Sequence, residues 1–163
     1  MKFTVIDNFL KEEELNALRE VLYQTKFDWH FTDKITIEQN ETDKFFYFCH
    51  VLYNQKSLHT SEYFPIVYPI LRKLEPKALI RVKANLYINQ GEGVKEHAQH
   101  TDEEFTHKGA LFSLNTCDGY TKLGNEKVES IANRIVLFDP SIPHASTSTS
   151  NSKVRMNINF NYF

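Results

Sequence analysis

The chain has 163 residues, enough to close one hydrophobic core without staples or a partner, so a single domain over 1–163 is expected. Its 19 Lys and Arg stand against 21 Asp and Glu, a formal charge of −2, which supplies no general pull toward phosphate backbones or anionic membranes; nucleic acid is not indicated as a partner. The two cysteines, Cys49 and Cys117, form no C-x-x-C pair, and no apolar run reaches the length of a signal peptide core or a membrane span, so a soluble cytoplasmic protein with reduced thiols is expected.

Phe3 to Ile6 reads as a short strand, and Asp7-Asn8 as a turn. Leu10, Leu15, Leu18, Val21 and Leu22 then recur at helical spacing through Gln24. Phe27 to Asn54 is rich in aromatic and β-branched residues but broken by charges, and reads as strand or irregular structure. Its Trp29, Phe31, Phe45, Phe46, Tyr47 and Phe48 are either core or a substrate wall, core being the commoner fate of such residues. A second helix is predicted over Ser61 to Leu74, with Pro65 in its first turn, Pro69 as a kink point and Pro76 past its end.

From Ile80 the character changes to closely spaced strands: Ile80–Ile88, Lys95–Thr101, Ala110–Thr116, Lys127–Ile131, Arg134–Phe138, Pro143–Ser148 and Val154–Tyr162. The five glycines (91, 93, 109, 119, 124) all fall where these strands are expected to turn. The reading is therefore a helix-and-strand buttress over 1–79, then a β-sandwich or barrel over 80–163, with no internal repeat or linker.

Two strands carry unusual polar faces. The period of two sets Arg81, Lys83, Asn85, Tyr87 and Asn89 against Ile80, Val82, Ala84, Leu86 and Ile88, and sets Arg155, Asn157, Asn159 and Asn161 against Val154, Met156, Ile158 and Phe160. Such faces ordinarily meet water. Asparagines at three alternate positions are poor strand formers, however, and a polar ligand cavity inside a barrel is the other reading.

Of seven histidines, the informative one is in His100-Thr101-Asp102, because residues two apart on a strand share a face and can converge on one ion; His97, three away, is expected to face the opposite side. His144 follows a buried run and a Pro-bounded turn, which delivers a second imidazole at a strand start. Two histidines and a carboxylate on one face of an ion leave three adjacent positions open, the arrangement that suits non-haem Fe(II) oxygen chemistry, whereas a closed structural zinc site needs a fourth ligand that neither cysteine obviously supplies. Arg155, eleven positions after His144, carries a planar fork suited to a carboxylate.

The order H-x-D, about forty residues, His, then Arg about ten positions later resembles the 2-oxoglutarate/Fe(II)-dependent dioxygenase superfamily. The sequence looks most like the prolyl 4-hydroxylase-like branch, in the small versions encoded by phages and bacteria. Val5-Ile6-Asp7-Asn8-Phe9-Leu10 before an acidic helix, Leu114-Asn115 followed by Gly119-Tyr120-Thr121, Arg134 to Pro140 before His144, and Val154 to Asn159 carry the likeness, which covers nearly the whole chain. The fold it implies is mainly β with N-terminal helices: a double-stranded β-helix, or cupin-like jelly roll. Iron ligation by His100, Asp102 and His144 and a grip of Arg155 on the distal carboxylate of 2-oxoglutarate follow from the resemblance. Asn85-Leu86-Tyr87 and Asn157 resemble elements with which alkylated-base demethylases hold that co-substrate, although the later arginine of those enzymes has no counterpart at Asn159 or Asn161.

The implied activity consumes 2-oxoglutarate and O2, releases succinate and CO2, and hydroxylates a peptidyl or amino-acid side chain, with proline the default. The substrate itself, peptide, protein or small molecule, is not legible, and a phage-encoded protein is expected in the host cytoplasm. A non-catalytic jelly-roll module holding an ion or carboxylated ligand and a nucleic-acid demethylase are the competing readings. The Asn89–Ala98 segment, with Gly91 and Gly93, is a mobile rim or a plain hairpin connection.

Overall fold

The computed structural model describes residues 2–37, 39–40 and 42–163; positions 38 and 41, in the ambiguous aromatic stretch, lie outside it. Strand β1 (Thr4–Ile6) leads through Asn8, at φ 53°, into helix α1 (Glu12–Tyr23). The helix buries Leu15, Leu18 and Leu22, and its first turn carries Glu12, Glu13 and Glu14, where negative charge complements the helix dipole. Asn133 secures the start of this element, accepting from the Leu10 N–H at 2.8 Å and donating to the Leu10 carbonyl at 2.9 Å.

The aromatic stretch resolves into β2 (His30–Thr32) and β3 (Tyr47–Asn54), followed by the two-residue β4 (His59–Thr60). The helix expected over Ser61–Leu74 starts later. Phe64–Val67 is a 3-10 turn containing Pro65, and only Tyr68–Leu74 is α-helical (α2). Pro69 lies in the first turn of α2, where a missing N–H does no harm, so it begins the helix rather than kinking it.

The remaining strands are β5 (Leu79–Ile88), β6 (Lys108–Ser113), β7 (Tyr120–Leu123), β8 (Glu126–Glu129), β9 (Ile135–Phe138), β10 (His144–Ala145) and β11 (Val154–Tyr162). They form an eight-stranded antiparallel sheet in the order β1-β9-β6-β11-β5-β3-β2, with β4 alongside β3, and a three-stranded sheet β10-β7-β8. The protein is mainly β, with two short helices, and its sheet arrangement is consistent with a jelly roll. The main core packs α1, the 3-10 turn and α2 against the back of the large sheet, through Leu18, Leu22, Val67 and Ile70 against Val82, Ala84, Phe112 and Ile158. A smaller apolar cluster, Leu111, Leu123, Val128, Val136 and Phe138, joins residues of both sheets.

Two expectations fail here. Lys95–Thr101 is not a strand but makes isolated bridges, Glu96 to Thr147 and His100 to His144. His97 donates its N–H to the Ser146 carbonyl while His100 pairs with His144, so three residues on one side oppose two on the other and the ladder breaks. The glycines are also not all turn residues: Gly109 lies inside β6, where a Cβ would sit 2.8 Å from the Pro140 ring. Gly124, at φ 63°, does turn the β7–β8 hairpin, whose first strand the sequence reading did not foresee. Both cysteines are free, and no helix among the described residues is long and apolar enough to cross a membrane.

Candidate functional site

β5 and β11 pair antiparallel, so that Arg155 faces Tyr87, Asn157 faces Asn85, Asn159 faces Lys83 and Asn161 faces Arg81. The alternation read from sequence therefore places these side chains on one face of the large sheet. Most of that face is withdrawn from water: Asn85, Tyr87, Arg155, Asn157, Asn159 and Asn161 are all buried, Arg81 and Lys83 half-buried, and a pocket between the two sheets is lined by most of them. Asn85 donates to Asn157 at 2.9 Å, which leaves the Asn85 carbonyl oxygen buried without a partner.

On the opposite wall, His100 and His144 are joined by reciprocal backbone hydrogen bonds of 2.9 and 3.0 Å, and the Asp102 N–H is fixed by the Pro140 carbonyl at 2.9 Å. The two imidazole centroids lie 4.5 Å apart, His100 Nε2 is 3.9 Å from an Asp102 carboxylate oxygen, and one ligand atom from each of the three residues falls within 4.8 Å of the others. Convergence comes from a broken ladder rather than from the regular strand expected. His144 Nδ1 lies 3.0 Å from the Ile142 carbonyl, which can only accept, so Nδ1 carries the proton and Nε2 presents a lone pair.

Asp102 is held by residues of the large sheet. Arg81 donates to one carboxylate oxygen at 2.9 Å and Asn159 to the other at 3.1 Å. Burial would raise this carboxyl, but Arg81, with His144, His100 and Lys83 nearby, outweighs it and holds the group at about 2. Burial, aided by His144, lowers the His100 imidazole to about 4. At neutral pH Asp102 is therefore a carboxylate and His100 an unprotonated imidazole, the forms in which these groups bind a divalent metal. Cis ligands about 2.1 Å from such an ion lie roughly 3 Å apart, so the 3.9 Å separation needs only a side-chain adjustment. The three residues fit a divalent cation that keeps open positions.

Arg155 is 1% exposed. It donates to Ser130 Oγ at 2.6 Å, to Thr121 Oγ1 at 2.8 Å and to the Thr147 carbonyl at 3.1 Å, and its guanidinium carbon lies 5.5 Å from the Tyr87 ring centroid. Among the described residues it meets no carboxylate. Three of five N–H groups are used on neutral acceptors, so a buried cation remains with two donors to offer and no counter-charge. Gly119 makes the space: a Cβ there would sit 2.6 Å from Arg155 Cδ and 2.5 Å from the Ser148 carbonyl oxygen. Burial raises the Tyr87 phenol, so it stays a neutral donor.

His100, Asp102, His144, Arg155, Tyr87, Asn85 and Asn157 thus all line the one pocket. Sequence reasoning placed Arg81 and Asn159 on the polar faces but gave them no task at the metal cluster. It gave none at all to Ser130 and Thr147. Tyr47, weighed as core or substrate wall, is buried and lines the pocket. Its ring stacks on Tyr87 at 5.5 Å. His97 packs between Phe45 and Tyr87, each 5.4 Å away by centroid, with Nδ1 on Ser146 Oγ. Burial, with Arg155 and His100 nearby, lowers its imidazole to about 3.

No protein-family model matches the sequence, and no curated protein matches it. Solved structures do. A prolyl hydroxylase from Trichoplax adhaerens, in complex with a hypoxia inducible factor oxygen degradation domain peptide fragment, aligns at a TM-score of 0.67 with 15% identity over 99% of this chain and 83% of its own. An oxidoreductase of the 2OG-Fe(II) oxygenase family from Burkholderia pseudomallei aligns at 0.71 with 7% identity, over 98% and 84%. A Pseudomonas putida prolyl-4-hydroxylase aligns at 0.57 with 14% identity, over 98% and 91%. The chain has the fold of the 2-oxoglutarate/Fe(II) oxygenases, prolyl 4-hydroxylase-like members included.

Proposed function

We propose that this protein is an Fe(II)- and 2-oxoglutarate-dependent dioxygenase, a single jelly-roll domain that hydroxylates a peptidyl or amino-acid side chain. The observation that carries the reading is the pairing, within one pocket, of a metal-competent His100–Asp102–His144 cluster with the buried, acid-free guanidinium of Arg155. A structural cluster would have no use for that cation. A dicarboxylate that chelates the metal at one end supplies the missing charge at the other.

The iron, with 2-oxoglutarate and O2, supplies the oxidising chemistry: one oxygen atom goes into succinate as CO2 leaves, and the other goes into a C–H bond of the substrate. The chain's own groups position and shield. Arg155 orients the co-substrate, with the Tyr87 phenol beside it as a second donor. Asn85 and Asn157 fill the space between this grip and the metal cluster, and the unpaired Asn85 carbonyl oxygen is free to accept from a ligand or its water. Arg81 and Asn159 fix the Asp102 carboxylate so that both oxygens are aimed before a metal arrives. Ile35, Leu111 and Phe138 give the lining an apolar part that would limit water beside the metal cluster. Proline is the default target by resemblance, and the Trichoplax neighbour's peptide partner supports a peptide-sized substrate.

The test is anaerobic addition of Fe(II) and 2-oxoglutarate to the metal-free protein. A visible metal-to-ligand charge-transfer band is expected, absent in His100→Ala and needing at least about tenfold more 2-oxoglutarate in Arg155→Ala. Folded, iron-loaded protein that gives no band at saturating 2-oxoglutarate would overturn the reading in favour of a non-catalytic binding module.

A further inference from the structure

One cation of the pocket, among the described residues, makes no hydrogen bond to the metal cluster or to the residues around Arg155. Lys83, part-buried on β5, lines both the inter-sheet pocket and a more open cleft beside it, whose walls include Lys34, Arg81, His100 and Asp102. Its ammonium donates to the Tyr47 hydroxyl at 3.1 Å and lies 5.3 Å from that ring's centroid. Among the described residues it has no carboxylate partner. Arg81, beside it, is already engaged by Asp102 at 2.9 Å.

Lys83 lies beyond the reach of the carboxylate that Arg155 would hold. It lies four positions from Tyr87, the register partner of Arg155, which is about 13 Å along the strand. A five-carbon dicarboxylate extends roughly 7 Å. Lys83 instead pairs in register with Asn159, the residue that holds Asp102, and so stands level with the metal cluster on the side away from Arg155.

We infer that Lys83 and the Tyr47 phenol seat a carboxylate of the primary substrate, so that the molecule oxidised is a carboxylic acid admitted through the cleft beside Lys34. The Tyr47 oxygen accepts from Lys83, which leaves the phenol proton and two ammonium protons as donors on adjacent groups. Charge points the same way. A divalent cation and a dicarboxylate cancel, Asp102 cancels Arg81, and Arg155 and Lys83 remain as excess positive charge in a poorly solvated pocket. An uncharged substrate segment would leave that excess in place; a carboxylate reduces it. The acid is either the free carboxyl of an amino acid or the side chain of an acidic peptide.

This inference rests on the dioxygenase reading, and the experiment separates the two. The charge-transfer band with 2-oxoglutarate is recorded first for the native protein, Lys83→Met and Lys83→Arg. Succinate release is then followed with the twenty free L-amino acids, their carboxamides, and end-capped tripeptides centred on Asp or Glu. At least one free acid or acidic peptide is expected to accelerate succinate release. Its uncharged amide should need about tenfold more or worse, and Lys83→Met should raise its half-saturating concentration by a similar factor, while the 2-oxoglutarate requirement for the band moves less than about twofold. Lys83→Arg should recover most of the loss. Calorimetry of the same acid against anaerobic iron-loaded protein should repeat the contrast without turnover. Free amino acids against capped peptides identifies the source of the carboxylate. The inference is overturned if the amides match the acids, if no acid accelerates release, or if Lys83→Met weakens 2-oxoglutarate instead. Loss of the band in the native protein removes the dioxygenase reading, and the inference with it.

Discussion

Along one wall of the pocket, β5 and β11 pair over nine positions, and every second residue of each strand faces inward. Along the other, β10 has two residues, and residues 95–101 touch their neighbours only through bridges and single hydrogen bonds. The regular wall supplies the groups that tolerate fixed spacing: Arg155 for an anion, Asn85 and Asn157 between, Asn159 and Arg81 behind Asp102. The irregular wall supplies the three candidate metal ligands, His100, Asp102 and His144, because three donors converging on one point do not fit a two-residue repeat. A ladder places groups in a row, whereas a broken ladder lets them gather.

The largest expected effect lies on the irregular wall. His144→Ala keeps the backbone bridge to His100 but removes an imidazole whose tautomer is fixed by the Ile142 carbonyl. Affinity for Mn(II), measured by calorimetry, is expected to fall by about a hundredfold or more, since even the groups that orient ligands are worth about ten- to a hundredfold. Retained affinity would mean that the three residues are not the ligand set, and that the contrast between the walls carries no chemistry.

A middle-sized effect tests the seam between the walls. Gly119 precedes β7 and packs against Ser148 and Arg155, so Gly119→Ala drives a methyl into a backbone oxygen 2.5 Å away and a buried side chain 2.6 Å away. The backbone atom cannot step aside, and a loss of about 2 kcal/mol in denaturant unfolding is expected, together with weakened 2-oxoglutarate binding as Arg155 is displaced. Unchanged stability would show that the irregular wall yields easily and does not position Arg155.

The same contrast explains what the sequence revealed. Strand β11 matches the predicted span, and the inward faces of β5 and β11 follow from alternation alone, because a long two-sided strand obeys one rule throughout. What alternation could not reveal is that both faces are covered; asparagines at 157, 159 and 161 were the hint. The H-x-D spacing located two ligands although the strand assumed for it does not exist. β7 went unread since its Tyr-Thr-Lys-Leu is short, yet Gly124-Asn125 was an available hairpin signal. Arg81 as partner of Asp102, and Ser130 and Thr147 as partners of Arg155, depend on contacts between residues far apart in sequence that no local pattern encodes.

The smallest expected effect concerns Asp118, which ties the irregular wall's far end. Its carboxylate accepts from the Thr149 hydroxyl at 2.7 Å, from the Ser150 N–H at 2.8 Å and from the Ser150 hydroxyl, closing residues 149–151 over the start of β7. Desolvation opposes ionisation, but these hydrogen bonds prevail and bring the carboxyl to about 2 from 3.8. A carboxyl depressed on folding contributes stability that is full above its unfolded value and is lost as pH falls through the folded one. The contribution should therefore be intact above about pH 4 and gone by about pH 2. In Asp118→Asn, stability against denaturant should fall less steeply over that window than in the native protein, with the two curves converging at its acid end. Asp118 is exposed, so solvent screens the interaction and the difference is small. Parallel curves would show that the 149–151 turn stands without its carboxylate, and that the irregular wall is held by its backbone bridges alone.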